Sequence, residues 1–188
     1  WSSDVCSSDL VPRCKEARND LLIHMDVYQA IAKKQDLGFL ACLEDPEIKI
    51  FAFGGLLRDM YLERSWEDVD IRIVYNKPRD VREQVMEKAL HNYNLEGKTV
   101  IEDLNLTVYR FLPEGSASRE PIDLSLVSSL DDNVPDFTIN SLFFDLKNKE
   151  LVDRFGGTQD LDSKTIRTAK DPHVQLDRKS TRLNSSHQ

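Results

Sequence analysis

The feature that most constrains the fold is a pair of aspartates, Asp68 and Asp70, which lie one residue apart at the start of a β-branched run. Residues 71–74 read Ile-Arg-Ile-Val, a composition typical of a β-strand. Alternate residues of a strand point to the same face of a sheet, so the two carboxylates are predicted to project together. Two such carboxylates can bind one Mg²⁺ ion, which prefers oxygen ligands.

A glycine turn precedes this pair. The alternating residues 47–53 predict a strand that runs directly into Gly54 and Gly55, and residues 56–62 predict a short helix. Glycines between a strand and a helix let the backbone approach a phosphate group, and the helix beyond offers free N–H groups to an anion. Arg58 would lie near this turn, placed to bind phosphate or to pair with an acid. Asp59 would bind an incoming sugar or cap the local backbone.

Asp123 is the candidate for a third carboxylate. Residues 121–127 predict a strand whose apolar positions point to one face, which leaves Asp123 on the other face. It joins the first pair if the two strands are neighbours. The alternative is that Asp123 is an outward charge that protects an edge strand from aggregation. Taken alone, the Asp68-x-Asp70 pattern also fits a solvated turn.

The remaining chain mixes helices and strands without a regular β-α alternation, which favours an α+β domain over a doubly wound one. A helix is predicted over residues 19–34 with Asp20 near its start, and Gly156 and Gly157 are predicted to turn the chain into a polar segment. Strands are predicted over residues 99–102, 106–111 and 151–153, and a loop is predicted over 113–120. A helix or sharp turn is predicted from residue 136. A further helix is predicted over residues 80–92, with a buried stripe of Val81, Val85, Met86, Ala89 and Leu90.

The two ends are predicted not to belong to the natural protein. One DNA sequence encodes residues 1–10 and its reverse complement encodes residues 177–185, as expected of a sequencing adaptor translated on both strands. We therefore exclude residues 1–10 and 177–188 from the fold predictions. The net charge of −8 argues against tight binding of a long nucleic acid by this segment alone, because phosphate affinity comes chiefly from Lys and Arg.

Composition predicts one globular domain in the cytoplasm. Hydrophobic residues make up 40% of the chain, enough for a substantial core, and there is no signal peptide or long apolar span, so no membrane association is expected. Outside the ends, the cysteines are Cys14 and Cys42, which lack metal-ligand spacing and are expected to remain reduced.

Several motifs occur in one order along residues 48–172. They are Gly54-Gly55-x-x-Arg58-Asp59, Asp68-x-Asp70, Asp136-Phe137-Thr138-Ile139-Asn140, and Asp153-x-x-Gly156-Gly157-x-x-Asp160-Leu161 followed by Ile166-Arg167. In this order they resemble the head domain of bacterial poly(A) polymerases and CCA-adding tRNA nucleotidyltransferases. The resemblance implies a polymerase-β-like nucleotidyltransferase fold, with a mixed, mostly antiparallel sheet flanked by helices. The predicted organisation is an N-terminal helical segment over residues 11–45, the head domain over 46–172, and the start of a missing helical domain at 173–176.

The resemblance also implies residue roles and ligands. Asp68 and Asp70 would bind magnesium in a two-metal site with ATP or CTP as substrate, and Asp123 would complete the catalytic acids. Nucleotide-binding residues would be Gly54, Gly55, Arg58, Asp59, Asp136 and Asn140. Asp160 and Arg167 would brace the join to the next domain, or form an ordinary ion pair. The partner would be an RNA 3′ end, of a tRNA, bound mainly by C-terminal domains absent from this chain.

Two departures from the family pattern leave alternatives open. The family usually has a pair of arginines before the acid that matches Asp136, whereas this chain has Val134 and Pro135. The strand of Asp123 also lacks an arginine that often follows the acid. A catalytically weakened nucleotide-binding or regulatory homologue is therefore one alternative, and a nucleotidyltransferase for a non-RNA acceptor is another. The motif that selects the base would begin just past Pro172, so CCA addition and poly(A) addition are not distinguished.

Overall fold

One seven-stranded sheet organises the computed structural model, which describes residues 26–170. The strands are β1 (Lys49–Phe53), β2 (Val69–Val74), β3 (Leu95–Ile101), β4 (Leu106–Phe111), β5 (Ile122–Val127), β6 (Leu142–Asp145) and β7 (Glu150–Asp153). Their order across the sheet is β3-β4-β5-β2-β1-β6-β7. Only the central pair of β2 and β5 is parallel, and all other neighbours are antiparallel. The predicted mixed, mostly antiparallel sheet is confirmed.

Helices cover one face of the sheet. They are α1 (Val27–Ala32), α2 (Gly55–Tyr61), α3 (Arg79–Ala89) and α4 (Gly157–Asp162), with short 3₁₀ turns at Gly38–Cys42, Glu102–Leu104 and Thr138–Asn140. Their apolar residues form one core with the odd-numbered positions of β2 and the even-numbered positions of β5. A smaller cluster of Phe51, Leu130 and Phe143 lies on the other face. Part of that second face remains open.

Several predicted boundaries differ from the structure. β3 begins four residues before the predicted strand, because its side chains are largely exposed and show no apolar alternation. β6 was not predicted as a strand, since all four of its residues are buried and alternation is absent. α4 was not predicted either. Its N-terminus is capped by Asp153, which accepts hydrogen bonds from the backbone N–H groups of Gly157 and Thr158 at 2.8 and 2.9 Å.

The predicted buried stripe of α3 is wrong at its first position. Val81 is 36% exposed, whereas its neighbour Arg82 is 1% exposed. Arg82 is buried because its guanidinium donates to the carbonyl oxygens of Lys77 and Asn105 and to the side chain of Asn105. Acceptors from two loops therefore hold both terminal nitrogens of a cation on the inner face of the helix, where the apolar pattern predicted a valine.

Some predictions fall outside the described residues. Of the predicted helix over residues 19–34, the structure shows α1, whose N-cap is Asp26 accepting from the backbone N–H of Gln29 at 3.1 Å. Residues 19–25 with Asp20, residues 173–176 and both predicted adaptor ends lie outside this range. Within residues 26–170, no helix has the length and apolar character needed to cross a membrane.

Candidate active site

The parallel pair at the centre of the sheet brings Asp70 and Asp123 together. Asp70 is the second residue of β2, Asp123 is the second residue of β5, and the two are direct partners in the strand register. Because parallel neighbours begin at the same end, both acids lie at the edge of the sheet formed by the N-terminal ends of β2 and β5. Both also point away from the helix-covered face, since the residues that flank them belong to the core. The strand of Asp123 is therefore a neighbour of β2, as the prediction of a third carboxylate required.

Negative charge is concentrated at this edge. Burial, followed by the charges of Asp123 and Asp68, raises the pKa of the Asp70 carboxyl to about 6. Burial also raises the pKa of Asp123, which is opposed by Arg110, whose Nη1 lies 3.2 Å from Asp123 Oδ2. Asp68 immediately precedes β2, is exposed, and acts on both carboxyls through its charge. A divalent cation at this edge would relieve the repulsion among the three acids.

The donor set fits a hard cation that keeps open coordination positions. Among residues 26–170, no group of three or more His, Cys, Asp or Glu side chains forms a complete metal cage. Asp70 lines an open cleft, and Asp68, two residues earlier, does not line it but acts on Asp70 through its charge. Magnesium is commonly bound by one or two carboxylates, with substrate phosphates and waters as the other ligands. The residues therefore fit a metal that is completed by its substrate.

Gly54 is required by its backbone and by Asp70. Its φ is +80°, a conformation that favours glycine, and an added Cβ would lie 3.1 Å from Asp70 Oδ2. A side chain at this position would therefore press on the carboxylate at the centre of the acid cluster. Gly55 begins α2 and lies beneath the guanidinium of Arg58, where an added Cβ would make an ordinary contact of 3.5 Å.

Arg58 links the glycine turn to the opposite wall of the site. Its Nε and Nη2 donate to the two carboxylate oxygens of Asp59 at 3.0 and 2.9 Å, and its Nη1 donates to Asn140 Oδ1 at 2.9 Å. Because Arg58 engages the amide oxygen of Asn140, the amide nitrogen is the end of that side chain that can donate to a ligand. Arg58 is thus committed to protein contacts, and its predicted contact with a triphosphate stays a prediction.

The turn that carries Asn140 is braced from behind. Thr138 Oγ1 donates to Asp160 Oδ2 at 2.5 Å, and Arg167 Nη2 lies 3.0 Å from the same oxygen. Gly157 packs so closely that an added Cβ would lie 2.3 Å from the carbonyl oxygen of Thr138. Asp160 and Arg167 therefore form an ion pair that fixes this turn.

An open cleft of about 520 Å³ connects these features on the sheet face that the helices leave uncovered. Its acids are Asp70, Asp123 and Asp136, and its other walls include Asn140 and the aromatic ring of Phe137, which is 37% exposed. The complete lining is Phe53, Asp70, Arg72, Leu106, Val108, Asp123, Ser125, Asn133, Val134, Pro135, Asp136, Phe137 and Asn140.

A sequence profile described as the poly A polymerase head domain matches residues 50–167, which include all of these cleft-lining residues. The chain belongs to this family. Similar curated proteins are the CCA-adding enzymes of Lactobacillus helveticus, 31% identical over 150 residues, and of Bacillus subtilis, 29% identical over 136 residues. These alignments cover 77% and 69% of this chain but 37% and 34% of the relatives, so the chain spans about a third of their length.

Solved structures support the head-domain fold. A Thermotoga maritima CCA-adding enzyme complexed with tRNA superposes with a TM-score of 0.54 and 21% identity, over 77% of this chain and 36% of that one. A Bacillus stearothermophilus CCA-adding enzyme in complex with CTP also gives a TM-score of 0.54, with 20% identity, over 78% and 36%. The predicted nucleotidyltransferase fold is thereby confirmed.

The head domain brings most of the predicted site residues together. Asp70, Asp123, Asp136 and Asn140 line the cleft, and Gly54 contacts Asp70. Asp68, Gly55, Arg58 and Asp59 do not line it, although Arg58 reaches it through Asn140. Arg72 and Phe137 also line the cleft and were not predicted to do so. The two-residue spacing from Asp70 to Arg72 was the available signal, because it places both on one face of β2.

Proposed function

We propose that this head domain belongs to a template-independent RNA nucleotidyltransferase of the CCA-adding type. The observation that carries the proposal is the register pairing of Asp70 with Asp123 at the edge of an open cleft, with Asp68 close enough to repel both. The reaction would transfer a nucleoside monophosphate from ATP or CTP to an RNA 3′ hydroxyl, with release of pyrophosphate. The curated relatives quoted above are all CCA-adding enzymes, which favours that type over poly(A) addition.

The chain's own residues would hold and orient the reactants. Asp68 and Asp70 would hold magnesium, which when bound neutralises phosphate charge and makes the attacking hydroxyl more acidic. Asp123, the register partner of Asp70, would orient the acceptor hydroxyl against the α-phosphorus. Asn140 would donate from its amide nitrogen to the ribose or a phosphate oxygen, held in that orientation by Arg58.

Substrate and partner proposals follow from the relatives and from charge. Structures of similar proteins are described with CTP, ATP and tRNA, which supports a nucleoside triphosphate and a tRNA 3′ end as ligands. The net charge of −8 makes this chain a poor binder of a long phosphate backbone. We therefore propose that other parts of the full-length protein bind the body of the tRNA, and that the protein acts in the cytoplasm.

A second candidate is a nucleotide-binding homologue with weakened catalysis. It is favoured by the residues where the family usually has two arginines, since Val134 and Pro135 add no positive charge to the cleft. Such a homologue would bind nucleoside triphosphate without releasing pyrophosphate. A transferase for a small-molecule or protein hydroxyl is a third candidate.

Nucleotide incorporation by the full-length protein with different acceptors tests these functions. The wild type is offered tRNA lacking its terminal CCA, generic RNA or no acceptor, each with one labelled nucleotide in turn. We expect incorporation of C and A into the tRNA, and at least a ~1,000-fold loss in the Asp70→Ala variant. Asp103→Ala, an exposed acid in the turn after β3, is the matched control and should retain activity. Equal turnover in Asp70→Ala and the wild type would refute the proposal, and binding without pyrophosphate release would favour the second candidate.

A further inference from the structure

The cleft contains one basic side chain among three acids. Among the described residues that line the cleft, Arg72 is the only Lys or Arg, and the acids are Asp70, Asp123 and Asp136. A nucleoside triphosphate brings several more negative charges. Magnesium held by Asp68 and Asp70 would offset part of this charge, but those carboxylates are themselves anionic. A fixed cation in the cleft would therefore favour binding of the triphosphate.

Other nearby basic residues are already paired within the described chain. Arg58 uses three nitrogens to contact Asp59 and Asn140. Arg110 lies 3.2 Å from a carboxylate oxygen of Asp123 and 3.7 Å from one of Glu96. Neither side chain lines the cleft. Arg72 in contrast has no ion pair with a carboxylate within 4.0 Å among the described contacts, and its charge acts on two acids, Asp70 and Asp132, at longer range.

Neutral groups hold Arg72 in place. Its Nε donates to Ser125 Oγ at 3.1 Å, and its Nη1 donates to the carbonyl oxygens of Asn133 at 3.2 Å and Asp132 at 3.4 Å. The guanidinium carbon lies 4.3 Å from the ring centroid of Phe53 and 5.4 Å from that of Phe143. These partners fix the guanidinium without neutralising it.

The contacts also explain how the loop before Asp136 is held. Arg72 clamps that loop from below through the carbonyl oxygens of Asp132 and Asn133, and the next two residues are the uncharged Val134 and Pro135. Positive charge therefore lies beneath the loop, on strand β2, and not on the loop itself. The cleft keeps a cation while the loop has none.

We propose that Arg72 is the fixed positive charge of the triphosphate cleft, acting from the sheet beneath residues 132–136. It is a positioning residue that favours the triphosphate through its charge and fixes the loop that leads to Asp136 and Phe137. This inference rests on the proposed function, because it takes the cleft to be the nucleoside triphosphate site.

Ligands that differ only in phosphate number test the role of charge. Calorimetry with the full-length protein in magnesium buffer would compare binding of ATP, ADP and AMP, and of CTP, CDP and CMP. In Arg72→Met we expect the triphosphate dissociation constant to rise at least ~10-fold, as for loss of a charged contact, and the monophosphate constant to rise less than about threefold. Arg72→Lys, which keeps the charge, should bind triphosphate within about fivefold of the wild type.

Arg82→Met is the matched control for the loss of a buried arginine. Arg82 is as buried as Arg72 and also donates to backbone carbonyl groups, but it lies on α3 and does not line the cleft. The control should lose stability and retain the nucleotide affinities of its folded fraction. If Arg72→Met proves unfolded, Arg72→Lys decides the matter, because a folded Lys variant that lost mono- and triphosphate binding equally would overturn the inference.

The remaining outcomes separate the two proposals. If the wild type binds nucleotide and Arg72→Met binds all phosphate forms equally well, or loses them by one common factor, the inference about Arg72 is wrong and the proposed function stands. If the wild type binds neither ATP nor CTP with magnesium, both are wrong.

Discussion

Asp70 on β2 lies directly opposite Asp123 on β5, in the only parallel strand pair of the described sheet. The two carboxylates share one edge, and Asp123 is among the charges that raise the pKa of Asp70. Such an arrangement destabilises the protein without metal. The same repulsion would favour binding of a cation, as in the proposed function.

The first prediction is that Asp70→Asn stabilises the metal-free protein. The folded-state pKa of Asp70 is about 6 and the unfolded value is 3.8, so folding disfavours the ionised carboxyl. The penalty is fully present above about pH 6 and disappears as the pH falls towards 3.8. We expect the variant to gain about 1–3 kcal/mol in free energy of unfolding at pH 7.5.

Denaturant unfolding in EDTA at pH 7.5 and pH 4.5 measures this gain. The gain should be largest at the higher pH and shrink at the lower one, since the wild-type carboxyl is then mostly protonated. Asp103→Asn, an exposed acid, serves as the control and should change stability little at either pH. A variant less stable than the wild type at pH 7.5 would contradict the prediction.

The second prediction concerns Asn140→Asp. The new carboxylate still accepts from Arg58 Nη1, so stability should be unchanged or slightly higher. The amide N–H donors are lost and a negative charge replaces them at the cleft. We expect affinity for CTP with magnesium to fall about 10-fold or more, as measured by calorimetry.

Asn94→Asp introduces the same charge at an exposed position between α3 and β3 and should leave CTP affinity unchanged. Equal affinities for Asn140→Asp and the wild type would show that the amide nitrogen donates to no nucleotide.

The third prediction is that Gly157→Ala destabilises the protein through the turn that carries Asn140. The added Cβ would lie 2.3 Å from the Thr138 carbonyl oxygen, so the helix or the turn has to move. We expect a loss of about 1–3 kcal/mol in free energy of unfolding. Gly97→Ala, where an added Cβ meets nothing within 4 Å, should stay within about 1 kcal/mol of the wild type. Similar losses in both variants would contradict the proposed close packing.

The fourth prediction concerns Asp160 and Arg167, whose side chains are 8% and 54% exposed. Arg167→Ala leaves a buried carboxylate without its cation, and we expect a cost of about 2 kcal/mol. Asp160→Asn removes the charge and keeps a hydrogen-bonding side chain beside Thr138, at a cost of about 1 kcal/mol. The double variant should therefore be no less stable than Arg167→Ala. A double-mutant cycle by denaturant unfolding measures the coupling, and additive losses would contradict this reading.

The sequence predicted those parts of the site that depend on local patterns. Gly54 was predicted from its place between a strand and a helix, and Asp70 from its spacing to Asp68; the structure brings Gly54 and Asp70 together, and metal binding by Asp68 stays a prediction. Asp123 could be named, but its pairing with Asp70 required the strand order. Arg72 was missed because a buried arginine depends on distant acceptors, here Ser125 and the loop at residues 132–133, which no local pattern reveals.

The same limit explains the errors in secondary structure. β6 is buried throughout and therefore lacks alternation, and β3 is exposed and polar, so neither matches the pattern of a half-buried strand. On α3, the burial of Arg82 in place of Val81 depends on carbonyl groups before the helix and after β3. These features of β3, β6 and α3 depend on tertiary contacts, so the periodicity of the sequence alone does not predict them.

The central parallel pair also determines when during folding Asp70 and Asp123 come together. β2 and β5 are separated along the chain by α3, β3 and β4, so the two acids meet only after that whole excursion has returned to the middle of the sheet. A nascent or partly assembled chain would therefore lack the paired carboxylates of the candidate site. Substitutions in the outer β3–β4 hairpin would thus disturb the candidate site by preventing that return, although the hairpin's first strand does not line the cleft.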